Sequence, residues 1–268
     1  MKSIPLILIL FSICFYGNAQ STASRNVSTF IAESPQLDAN KKIWVYLPSN
    51  YGNSKQSYPV LYLQDAQNLF DKSTSFSGEW RIDETLDSLD LELIVIGIEH
   101  GNEKRIDELT PFPNPEYNGG NAENYLKFIT ETLKPDIDKR FRTKTDVSNT
   151  FIGGSSLGGL FSYFAILKNP EIFGKALVFS PSFWFSVKIV GFTDEIPKEK
   201  LDQIKLYFRA GKKESETMAP LMYDIKQQLL SKGLNPNQIN FKTIPGGQHN
   251  EVFWASLFPQ AALWLFEE

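Results

Sequence analysis

Apolar residues in this chain cluster into short continuous runs, each closed by proline, glycine or polar residues. Seven of these runs read as strands: Ile43–Leu47 (ended by Pro48), Pro59–Leu63, Leu93–Ile98, Thr150–Ile152, Ala176–Phe179, Leu206–Ala210 and Ile239–Ile244. Most lack the apolar–polar alternation of a half-exposed strand, so they suit a sheet covered on both faces. Between them lie stretches with apolar positions three and four apart, the helical spacing. These are Ile82–Leu89, Ala122–Arg140 (Tyr125, Phe128, Ile129 and Leu133 on one face), a run carrying Leu157, Leu160, Phe161 and Phe164, Met218–Leu230, and Val252–Phe266. Pro135 is expected to kink or restart the second helix. Ser21–Ala39 reads as a polar, irregular lead-in, and Asp194–Asp202 as a charged excursion. Gln64–Asp71 is a distinctive loop. The long segment from Glu99 to Gly120, with prolines at 111, 113 and 115, has the length of a functional loop.

Strands alternating with helices predict an α/β fold whose mostly parallel central sheet carries helices on both faces. Ligands then bind beyond the carboxyl ends of the strands. There is no internal repeat, low-complexity segment or linker, so residues 20–268 are expected to form a single domain.

Residues 1–19 are expected to be a signal peptide. Lys2 is followed by the apolar stretch Ile4–Phe15 and then by Gly17-Asn18-Ala19, with cleavage expected after Ala19. The apolar stretch is short of the roughly 20 residues a membrane span needs, so no stable span is expected after cleavage. Export to the periplasm or the medium follows. Cys14 is the only cysteine. The mature chain would have no disulfide, thiolate metal site or cysteine nucleophile. Its charge would be −5, from 26 basic and 31 acidic residues, without a Lys/Arg run. Nucleic acid is therefore not an expected partner.

The candidate chemistry centres on Gly154-Ser155-Ser156-Leu157-Gly158, a Gly-x-Ser-x-Gly between a strand and a helix. This is the context of a nucleophile elbow, in which a sharp turn lifts the serine clear of the sheet and flanking glycines remove side chains that would collide with it. Ser156 is the expected nucleophile. Ser155 is the poorer choice because Leu157 takes the place of its second glycine. Serine needs a base, and His249, in Pro245-Gly246-Gly247-Gln248-His249 after the last strand, is well placed to serve. His100, the only other histidine, follows an earlier strand and is a pocket candidate. A carboxylate must hold the imidazole. Glu214, just past a strand end, is the first choice, with Glu216 left open. The order Ser156, Glu214, His249 is that of α/β-hydrolases. The oxyanion is expected to be held by the amides of Leu157 and Gln67.

These segments together resemble the esterase D-like family of α/β-hydrolases, which includes siderophore, feruloyl and acetylxylan esterases. The resemblance runs from about Ile43 to the C-terminus. It is carried by Leu61–Asp71, Glu108-Leu109-Thr110-Pro111, Gly153–Leu160, Ser180-Pro181-Ser182-Phe183-Trp184 and Pro245–His249. It implies an α/β-hydrolase fold and a cofactor-free, metal-free serine carboxylic-ester hydrolase. In that mechanism Ser156 is the nucleophile, His249 the base, Glu214 the acid, and Leu157 and Gln67 the oxyanion donors. Ala66 stands where the family commonly has glycine. Asp65, Trp80, His100, Arg105, Phe183 and Trp184 are the candidate substrate contacts. The substrate would be a siderophore-type ester or a carbohydrate-linked or aromatic acyl ester. An acyltransferase with the same triad and a non-catalytic binding protein are the alternatives.

Overall fold

The computed structural model describes residues 21–267. The expected signal peptide, its cut after Ala19 and Cys14 lie outside the described residues. Among the described residues eight strands form one sheet: β1 (Val27–Ser34), β2 (Ala39–Tyr46), β3 (Val60–Gln64), β4 (Ile94–Ile98), β5 (Thr150–Ser155), β6 (Lys175–Phe179), β7 (Lys205–Gly211) and β8 (Ile239–Ile244). Their order across the sheet is β1-β2-β4-β3-β5-β6-β7-β8. From β4 to β8 every neighbouring pair is parallel, while β1 and β2 run antiparallel to each other and β2 antiparallel to β4. The mostly parallel α/β-hydrolase sheet expected from the run pattern is present, and β3 to β6 are buried at every position.

Helices cover both faces. One face carries α2 (Arg105–Leu109), α3 (Ala122–Lys127), α4 (Lys134–Arg140), α5 (Leu157–Lys168), α6 (Lys188–Glu195), α7 (Lys198–Leu201) and α8 (Met218–Ser231). The other carries α1 (Ile82–Leu89) and α9 (Glu251–Leu265). Parallel strands need such crossovers, and the crossovers explain why the strands read as unbroken apolar runs.

Two expectations need correction. The lead-in is not irregular: Val27–Ser34 is the edge strand β1, paired with β2 in register Val27↔Tyr46 to Ser34↔Ala39. Its burial pattern is mixed and Ile31 lies exposed, so it carries no apolar signature. Its order comes from backbone pairing with its neighbour. The charged excursion is helical, as α6 and α7, with Ile189 and Leu201 turned inward. Pro135, expected to kink or restart its helix, stands in the first turn of α4, where α geometry resumes. Phe128–Leu133 widens to π geometry between α3 and α4, which accommodates a residue that offers no N–H to the ladder.

All the carboxyl ends of β3 to β8 open on one edge. The loops that leave them (64–71, 99–120, 155–156, 180–187, 211–217 and 245–250) gather there. The long 99–120 segment is not loose. The carboxylate of Glu108, buried on the inner face of α2, accepts from Lys41 Nζ at 2.7 Å and from the Gly101 amide at 2.9 Å. Thr110 Oγ1 donates to Ile106 O and accepts from the Gly120 amide. The Glu108-Leu109-Thr110 run thus ties the segment to the sheet and fixes the direction of Arg105.

Candidate active site

Ser156 sits between β5 and α5 with φ 57° and ψ −121°, a conformation that non-glycine residues seldom adopt. Its amide donates to Phe179 O and its carbonyl accepts from the amides of Leu160 and Ser182, so backbone on three sides holds the turn. The flanking glycines act on packing more than on the serine itself. A Cβ at Gly154 would lie 2.8 Å from the Gly158 carbonyl carbon, and one at Gly158 would lie 3.0 Å from Gln64 Cβ. Their absence lets the first turn of α5 press against β5 and β3.

His249 follows β8 and reaches Ser156, with Nε2 2.9 Å from Oγ. On its other side Nδ1 lies 2.9 Å from Glu214 Oε2. A carboxylate only accepts, so Nδ1 carries the proton and Nε2 is free to take one from Ser156. The Glu214 side chain is 1% exposed, against 36% for His249. Glu214 Oε1 accepts from Ser180 Oγ at 2.7 Å and from the Gly211 amide. Ser180 Oγ in turn accepts from Trp254 Nε1 at 2.8 Å. Hydrogen bonds therefore run in one direction from Trp254 through Ser180 to Glu214, and both carboxylate oxygens are occupied. Trp254 also sets its ring edge-on to His249, with centroids 4.9 Å apart. Glu216 stays exposed, outside this network.

The two expected oxyanion donors, Leu157 and Gln67, lie just beyond strand ends on this same edge. Leu157 N–H is the first of α5, and Gln67 lies in the 3₁₀ turn Ala66–Asn68 that follows β3. N–H groups in a first helical turn have no intrahelical acceptor. The turn is entered through Asp65 at φ 57° and secured by Arg105, whose Nε and Nη2 donate to Asp65 Oδ1 and Oδ2 at 2.7 and 2.8 Å. Asp65 and Arg105 thus engage each other as a bidentate pair.

A cleft of about 480 Å³ opens over Ser156 and His249. Asp65, Gln67, Asn68, His100, Arg105 and Glu251 line it. Burial pulls the His100 ring below its ordinary pKa, so it is neutral near pH 7, and its Nδ1 accepts from the Asn102 amide. Phe76, 91% exposed, stands at the cleft's edge. Asn68 joins the parts, donating through Nδ2 to Glu251 Oε1 and accepting from the Phe76 amide.

Three aromatics expected in the pocket lie elsewhere. Trp80 is buried behind the cleft against Phe179 and Trp254, where its apolar ring joins the core under α1 and α9. Trp184 turns away onto Tyr117 and, with Phe183, lines a separate apolar groove between α6 and α8. The sequence reading passed over Asn68, Phe76, Ser180, Glu251 and Trp254. Asn68 and Ser180 lie in segments that carry the family resemblance, and Glu251 and Trp254 follow His249, but no spacing rule links them to the serine.

The chain has relatives among known proteins. A model of the family described as Putative esterase matches residues 34–265. The chain is 29% identical over 240 residues to the uncharacterized protein YbbA of Bacillus subtilis (strain 168), covering 85% of this chain and 93% of that one. It is 30% identical over 170 residues to an endo-1,4-beta-xylanase/feruloyl esterase of Xylanibacter ruminicola, covering 60% of this chain and 22% of that longer protein. The fold is similar to that of the siderophore hydrolase EstA from Aspergillus nidulans, with a TM-score of 0.72 at 20% identity, covering 90% of this chain and 94% of that one.

Proposed function

This chain belongs to the Putative esterase family, and from that premise we propose that it is an exported serine carboxylic-ester hydrolase working through Ser156, His249 and Glu214. The observation that carries the reading is the unbroken line from Ser156 Oγ through both imidazole nitrogens to Glu214, each step 2.9 Å. Ser156 Oγ attacks the ester carbonyl as its proton passes to His249 Nε2. The carbonyl oxygen becomes an oxyanion held by the amides of Leu157 and Gln67. Collapse of the intermediate expels the alcohol, which takes the proton from Nε2, and leaves an acyl-enzyme. Water, deprotonated by the same nitrogen, then releases the acid. Glu214, buried and fully hydrogen-bonded, holds the imidazole tautomer and stabilises its cation.

The cleft favours a neutral, hydroxyl-rich alcohol group. Arg105 pairs with Asp65 and also feels the charge of Glu251, so the cleft lining carries one more acid than fixed cation. A polyanionic ferric catecholate would meet that charge, whereas a sugar would offer it hydroxyls and stack on the exposed ring of Phe76. The relatives include a feruloyl esterase and also siderophore esterases, so the substrate assignment rests on the charge of the cleft. Export rests on the leader-like residues 1–19. Among the described residues no helix is long and apolar enough to cross a membrane.

Hydrolysis of p-nitrophenyl acetate, methyl ferulate, acetylated xylan and a ferric catecholate trilactone by residues 20–268 and by Ser156→Ala tests this reading. Activity on the acetylated or feruloylated carbohydrate, lost in the variant, is expected. Full activity in Ser156→Ala would overturn the mechanism, and preference for the trilactone would overturn the substrate assignment.

A further inference from the structure

Ser182 lies just beyond β6, at the start of the 3₁₀ turn Phe183–Phe185. Serine at that position ordinarily caps the turn with its hydroxyl. Here the hydroxyl makes no capping bond. It points instead at the nucleophile, 3.2 Å from Ser156 Oγ, and the residue is 1% exposed. Among the described residues Ser156 Oγ is its only side-chain partner. The backbone holds the pair together, because the Ser182 amide donates to Ser156 O at 3.0 Å.

The direction of the Ser182–Ser156 bond follows from counting protons. Glu214 accepts a hydrogen bond from His249 Nδ1–H, and His249 Nε2 accepts one from the Ser156 hydroxyl. Ser156 Oγ then has only lone pairs left to offer, so Ser182 must be the donor. A donor on the nucleophile has unequal effects on the two half-reactions. In the free enzyme the bond already exists in the ground state, so its gain on reaching the acylation transition state is small. In the acyl-enzyme Oγ is an ester oxygen and a poor acceptor. As the deacylation intermediate collapses, the C–Oγ bond breaks and its electron pair stays on Oγ. That oxygen becomes a strong acceptor until the imidazolium Nε2 delivers its proton. A bond stronger in the transition state than in the ground state accelerates that step.

We propose that Ser182 is a catalytic hydroxyl which donates to Ser156 Oγ and acts chiefly on deacylation, an assignment that rests on the serine-esterase reading above. The Ser182 proton never leaves its own oxygen, so the overall reaction is unchanged.

The test compares wild type with Ser182→Ala on p-nitrophenyl acetate by stopped flow. Acylation is read from kcat/KM and from the rate of fluorophosphonate labelling, and deacylation from the steady-state rate that follows the burst. Loss of one hydrogen bond of this kind should slow deacylation about tenfold. The expected variant keeps kcat/KM and labelling within about threefold of wild type and accumulates acyl-enzyme as a stoichiometric burst. Labelling at the wild-type rate also reports an intact fold. Equal losses in both steps, or an unchanged kcat, would overturn the role of Ser182. A wild type that neither labels nor hydrolyses would instead overturn the esterase reading itself.

Discussion

The backbones of Gly211 and Gly247 touch: a Cβ on Gly211 would lie 2.2 Å from Gly247 O, and one on Gly247 would lie 2.7 Å from Gly211 Cα. Gly211 ends β7 and Gly247 follows β8, so this contact brings the loop of Glu214 against the loop of His249. The Lys213 amide donates to Gly247 O and fastens the two together. Gly211→Ala should separate them. A destabilisation of about 1–3 kcal/mol in urea unfolding is expected, with a larger loss of kcat than of KM as Glu214 parts from His249. Wild-type kcat in a stable Gly211→Ala protein would show that the contact does not align the site.

Glu214→Gln keeps the shape of the side chain and removes the charge that fixes the imidazole tautomer. A fall in kcat of about 10³–10⁴ is expected, whereas Glu216→Gln should leave kcat unchanged. Steady-state kinetics on one chromogenic ester would decide between the two acids.

Ala66 and Gly97 form the second close pair. The Ala66 methyl lies 2.8 Å from where a Gly97 Cβ would stand, with Phe70 and Leu69 at 3.1 and 3.3 Å. The alanine in the Ala66–Asn68 turn is therefore accommodated by a strand residue without a side chain. Gly97→Ala should push the turn and move the Gln67 amide, lowering kcat by about 10² through loss of one oxyanion donor. The double variant Gly97→Ala/Ala66→Gly should recover most of that loss.

Arg105 holds Asp65, and Asp65 holds the same turn in its left-handed conformation. Arg105→Lys cannot reproduce a two-pronged bond. It should lower kcat on simple aryl acetates about tenfold or more, although such small substrates have no need of Arg105 for recognition. An unchanged kcat with raised KM on the natural ester alone would make Arg105 a substrate contact instead.

Asp83 is wholly buried on α1, beside Glu79 and Glu84. Burial raises its carboxyl to about 7, opposed by the Ser24 amide and reinforced by Glu84. The folded chain thus keeps a proton that the unfolded chain releases near the ordinary value of 3.8. Its contribution to stability is complete below about pH 4 and is lost as the pH rises through 7. Asp83→Asn should therefore be more stable than wild type at pH 8, by about 2 kcal/mol, with the gap closing as the pH falls toward 4. Urea unfolding across that range measures it, and a variant less stable than wild type at pH 8 would contradict the assignment.

The central strands, the elbow and the chain order of serine, acid and histidine are local properties. Buried strands must be apolar runs, and a nucleophile turned out of a packed strand–helix junction demands glycines in sequence around it. These were legible without coordinates. So was the choice of Glu214 as first candidate acid, because it lies just beyond a strand end on the edge where the other two emerge.

What the sequence by itself did not determine is every relationship between distant segments. Val27–Ser34 becomes a strand only because β2 offers it a partner edge. Arg105 finds Asp65 forty residues earlier, and Trp254 finds Ser180 seventy-four residues earlier. Trp80 and Trp184 look alike in sequence, yet one is drawn into the core and the other onto a second groove. Ser182 abandons its own turn for Ser156. Such pairings carry no period or spacing. They are decided by which side chains the packed sheet brings together and which buried polar groups must then be satisfied, and only the tertiary structure answers that.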